Sequence, residues 1–118
     1  MRSFFRIVTT VPATADDFSS NLVKRGPAPA RLQERLRALW DGISVHDTVE
    51  ESRRPLREMP RLGCAIAELA VPDDAAVRIE RTVPNNPGHH TLWADPNLLL
   101  GLVVAIHSRE ENPGDANV

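Results

Sequence analysis

The chain has 118 residues, 42% of them hydrophobic and 25% charged, which fits one domain around one core. Its formal net charge of −2 gives no electrostatic pull toward nucleic acid. No apolar run approaches the ~20 residues that cross a bilayer, and the N-terminus lacks a signal-peptide pattern, so a cytoplasmic protein with no membrane partner is expected.

The elements follow from the N-terminus. "SFFRIVTT" reads as a β-strand over residues 4–9, rich in aromatic and β-branched residues. Pro12 ends it. Thr14 is placed as an N-cap, with Asp16 and Asp17 in the first turn, for a helix of one or two turns. "KRGPAPA" is a breaker segment. In "ARLQERLRALW", Leu32, Leu36, Leu39 and Trp40 recur at helical spacing, which predicts an amphipathic helix. "DG" stops it, and "ISVH" opens a strand with Ile43 and Val45 on one face and Ser44 and His46 on the other. Asp47, with Glu50 three residues on, predicts the cap of the next helix, which Pro55 bends or ends.

"CAIAELAV" is the clearest strand, with Cys64, Ile66 and Glu68 on one face and Ala65, Ala67 and Leu69 on the other. "AVRIERTV" alternates as an edge strand does, "PNNPG" is a turn, and "HHTLWA" is a short strand or extended arm. Asp95 and Pro96 form a paired helix start, and a last strand falls near residues 102–106. Helices gather in the first half and strands in the second. The expected fold is α+β: one domain over residues 1–107, with a mixed, mostly antiparallel sheet of five or six strands and three or four short helices. A flexible tail is expected over 108–118.

The basic residues are thirteen Arg against one Lys, Lys24, which with the many Ala and Pro points to a GC-rich, bacterial source. Cys64, the only cysteine, excludes an internal disulfide, and its apolar surroundings predict a buried residue. Arg6 interrupts an apolar strand. A buried guanidinium needs a partner. Three partners remain open: an internal carboxylate such as Glu68, solvent, or a ligand anion that the guanidinium fork would grip. Ser44 and His46 share a strand face and can look into one cleft, but Ser44, His46 and Asp47 lack the chain of contacts of a catalytic triad. His89 and His90 point to opposite faces and do not form a metal site with His46 or Cys64, so no metal is expected. Two readings stay open: one of the two histidines lines a pocket with Trp93, or His90 and Trp93 pack on the sheet while His89 is solvated.

"FFRIVTT", "SSN", "GISVHDTVEES", "CAIAELAVP" and "GHHTLWADPNLLLGLVVAI" occur in an order that resembles a compact ADP-ribosyltransferase-like domain. The layout is most similar to the small rifampicin ADP-ribosyltransferases, over roughly residues 3–107, and also to small proteins of GC-rich bacteria and their phages. The resemblance implies NAD as cofactor. It implies that Arg6 holds the NAD ribose or phosphate region, that Ser44 binds the nicotinamide ribose, and that a late carboxylate, Glu68, Glu80 or Asp95, is catalytic, with Glu68 in first place. His46, His90 and Trp93 complete the expected cofactor-binding set. The chain contains no Tyr, so stacking of nicotinamide on Tyr is excluded. Two functions follow as expectations: a nucleotide-binding protein, as an NAD-using mono-ADP-ribosyltransferase or glycohydrolase if catalytic, or a non-catalytic module that binds a protein partner, such as an accessory or toxin–immunity component. A small-molecule sensor built on residues 89–93 is the weaker third.

Overall fold

The computed structural model describes residues 1–82 and 88–110. Six strands form one open sheet: β1 (Arg2–Val8), β2 (Ile43–His46), β3 (Ala65–Val71), β4 (Arg78–Arg81), β5 (His89–Trp93) and β6 (Val103–Ser108). Their order is β4-β5-β2-β1-β3-β6, and every pairing is antiparallel. The helices are α1 (Asn21–Arg25), α2 (Glu34–Ala38), α3 (Val49–Glu58) and α4 (Pro96–Gly101), with a 3-10 turn at Ala15–Phe18. This is the α+β domain the residue pattern predicts. No helix of the described residues is long and apolar enough to cross a membrane. Residues 84–87 of the turn expected at 84–88 and most of the tail expected at 108–118 lie outside the described residues, although β6 itself runs to Ser108.

Register assigns each side chain to a face, because paired residues of an antiparallel ladder point the same way. Phe4, Val8, Val45, Ala67, Leu69 and Leu92 line one face and form the main core with Phe18 of the 3-10 turn and Leu99 of α4. Asp95 caps α4 by accepting from the Asn97 and Leu98 amides, as its spacing predicts. On the opposite face α3 lies across β1, β2 and β3, and Leu56, Ser52 and Ile66 are fully buried. The cap of α3 is Thr48, whose hydroxyl accepts from the Glu51 amide, rather than Asp47. Pro55 does not end this helix, which continues to Glu58.

Two local expectations fail for lack of a surface to cover them. The helix expected over residues 30–40 shrinks to the five residues of α2, with Leu36 exposed. Its leucines face a cleft instead of the sheet core. Cys64 is exposed, because it precedes the first paired residue of β3 and only its amide is tied in, to the Val8 carbonyl.

Candidate functional site

The two ladders of β1 are unequal. It pairs with β3 along its whole length, from Arg2↔Val71 to Val8↔Ala65, but with β2 only at Phe5↔His46. Arg6 fills the opening. Its Nε donates to the Asp17 carbonyl at 2.5 Å, and one terminal nitrogen donates to the Ser44 carbonyl at 2.7 Å. One side chain therefore ties β1 to β2 and to the 3-10 turn.

The expected Arg6–Glu68 pair does not form. Glu68 registers with Phe5, so it projects from the other face of the sheet, and its Oε1 meets His107 Nε2 at 2.8 Å. The nearest acid on the Arg6 side, Asp17, spends its carboxylate elsewhere. Oδ1 accepts from the amide and hydroxyl of Thr9, and Oδ2 accepts from the Thr14 amide. Burial lowers the Arg6 pKa to about 10, partly opposed by the Asp17 charge, so the guanidinium remains a cation at neutral pH. It bonds two carbonyls and no carboxylate among the described residues, and a guanidinium has five donors. It forms no direct ion pair, and the charge of Asp17 offsets its own only in part.

Arg6 opens onto a cleft of about 500 Å³ between the β1–β2 opening and the α1–α2 segment. This lies within the usual volume of a small-molecule site. Lys24 and Arg25 of α1 line it together with Arg6, Leu32, Leu36, Leu39 and Trp40 form an apolar side, and Ser44 and His89 close the sheet side. No Asp or Glu lines it among the described residues. The α1–α2 wall is fastened at its base. Gly26 ends α1 at φ 78°, a left-handed conformation suited to glycine, and its carbonyl accepts from Trp40 Nε1 at 2.8 Å. The Leu22 amide donates to the Trp40 carbonyl.

His89 is half-buried and meets His46 edge to face, with ring centroids 5.6 Å apart. His46 Nδ1 lies 2.8 Å from the hydroxyl of fully buried Ser52. Burial pushes the pKa of both imidazoles down. The other histidine adds to this for His46, and His90 adds to it for His89, while Glu51 and Asp47 partly oppose it at His46.

Of the residues expected to gather, Arg6 and Ser44 do meet at the cleft. His46 stands behind it, in contact with His89. The others lie elsewhere. His90 is buried on the main-core face, with its ring 5.3 Å from Phe4 and its Nε2 3.5 Å from Arg2. Trp93 donates to Asp41 at 2.8 Å and carries the Arg78 guanidinium over its ring. Glu68 is held by His107. Reasoning from sequence passed over Lys24 and Arg25 as site residues, and it left open which of His89 and His90 would line a pocket. The signal for the first two was the adjacent pair of cations closing "NLVKRG", which reads as a breaker until α1 is seen to end there. Among the described residues no three His, Cys, Asp or Glu side chains converge on a metal position. Comparisons with protein-family models, with curated proteins and with solved structures find no match to this chain.

Proposed function

We propose that the protein binds a small phosphate-bearing ligand of the nucleotide class in the Arg6 cleft, with NAD as the first candidate. One observation carries this reading: three cations, Arg6, Lys24 and Arg25, line one cleft with no carboxylate lining it among the described residues. Such a wall favours an anion, and a guanidinium fork suits phosphate oxygens. The apolar side formed by the leucines and Trp40 suits the ring system of the same ligand. NAD enters from the resemblance to ADP-ribosyltransferase-like domains, and the cation set fits its pyrophosphate. The role of Ser44 is to present an exposed hydroxyl beside that group. The reading stops at binding, because transfer chemistry calls for a carboxylate beside the reacting sugar. Glu68 does not line the cleft and is engaged with His107 on the β3–β6 side of the sheet.

Calorimetry at low salt with NAD and ADP-ribose tests this reading, with adenosine as the uncharged control. The two pyrophosphates bind, adenosine does not, and Lys24→Ala/Arg25→Ala weakens binding by about tenfold or more, as expected for two charge-assisted contacts. Absence of heat with both pyrophosphates at millimolar concentration contradicts it.

A second reading, a protein-binding module, is favoured by Leu22 and Val23, which are 45% and 67% exposed on α1. On that reading, Val23→Glu abolishes capture of a partner and leaves nucleotide binding intact.

A further inference from the structure

We infer that His89 is the proton-accepting contact of the cleft: an anionic ligand binds together with one proton taken up by this imidazole, so affinity rises as pH falls. This deepens the proposed ligand-binding reading and rests on it. His89 lines the same cleft as Arg6, Lys24 and Arg25. An anion bound in the cleft they share is open to the imidazole, and an opposite charge close to it favours its protonated form. In the free protein the surroundings act the other way.

The groups facing His89 come from every neighbouring element. Arg6 of β1 and Lys24 and Arg25 of α1 bring positive charge to the cleft side. His46 of β2 meets the ring edge to face, and His90 of the same strand lowers its pKa further, after burial. Thr82 beyond β4 offers a hydroxyl 3.5 Å from Nδ1 and no charge. The carboxylates of Asp47 and Glu51 lie beside Gly88, and they act on His46. At neutral pH His89 therefore stands neutral until an anion arrives. Once protonated it adds a charge-assisted donor to the bound phosphate, so the preference for polyanions over monoanions strengthens in acid.

The test uses NAD, whose pyrophosphate keeps its charge throughout the range in which histidine titrates. Binding is measured by calorimetry from pH 7.5 to pH 5.5, in pairs of buffers with different ionisation enthalpies. The wild type binds about fivefold more tightly at the acid end, with net proton uptake, the size expected over this range when one group gains about a pH unit of pKa on binding. His89→Gln keeps an N–H donor and loses both the pH slope and the uptake. His107→Gln, remote from the cleft, keeps them. Because buffer-dependent heats are read on the wild type, a variant that folds poorly does not blur the answer. NAD binding with no proton uptake overturns the role of His89 and leaves the cleft reading standing. Absence of NAD binding at every pH overturns the cleft reading and this inference with it.

Discussion

The β1–β2 side of the sheet and the β3–β6 side both place a charged residue inside a strand, and they resolve it in opposite ways. On the β3–β6 side Glu68 meets His107 at 2.8 Å, and the two half-exposed groups satisfy each other. On the β1–β2 side Arg6 is held by two backbone carbonyls, and its charge stays open toward a cleft that contains two more cations. A buried charge that is hydrogen-bonded but not neutralised is costly for a fold to keep. On the proposed reading the paired side is structural, and the side without a direct ion pair is the one available to an anion.

The largest expected difference comes from removing each charge in turn. Arg6→Ala breaks two charge-assisted hydrogen bonds at the seam between β1, β2 and the 3-10 turn, at about 1.5–3 kcal/mol each. Urea unfolding should show a loss of about 3 kcal/mol or more, and NAD binding should disappear. Glu68→Gln should cost less than about 1 kcal/mol, because an exposed or half-exposed pair contributes little. Binding should be unchanged. Equal losses in the two variants would erase the distinction between the two sides.

Gly42→Ala sharpens the comparison within the cleft side. A Cβ at residue 42 would collide with the Thr91 methyl and sit 2.9 Å from Trp93 Nε1. The strain is about 1–3 kcal/mol, read as a shift in the urea midpoint. Binding should weaken as well, since Gly42 lines the cleft.

The smallest effect is the pH dependence of stability. His46 and His89 both titrate lower in the folded chain than their usual 6.5. Between the two values the unfolded chain holds more protons, so stability declines as pH falls through 6.5 and levels off below the folded values. Thermal melts from pH 8 to pH 5 should show that decline. The variant His46→Gln/His89→Gln should flatten it. A decline unchanged in the double variant would remove these imidazoles from the acid response.

Much of this fold was legible in local pattern. The strand runs, the Asp95–Pro96 start of α4 and the edge character of β4 depend on neighbours in sequence. The partner of Arg6 did not, because it depends on register. Placing Phe5 opposite Glu68 puts Arg6 opposite Ala67, and this one-residue difference sends the two charges to opposite faces. The leucines of residues 32–39 show the same limit. Their helical spacing marks an apolar face, but only the placement of α1 and α2 shows that it meets a cleft. His89 was weighed as one of an adjacent pair, and β5 separates that pair into a cleft-facing ring and a core ring.

The most direct test of the account is an NMR titration of the ¹⁵N-labelled protein with NAD at low salt. The account predicts saturable amide shifts confined to the seam and cleft, at Arg6, residues 19–25, residues 40–44 and His89, with residues 65–68 and 105–108 unmoved. Shifts centred on Glu68 and His107, or no shifts at all, would contradict it.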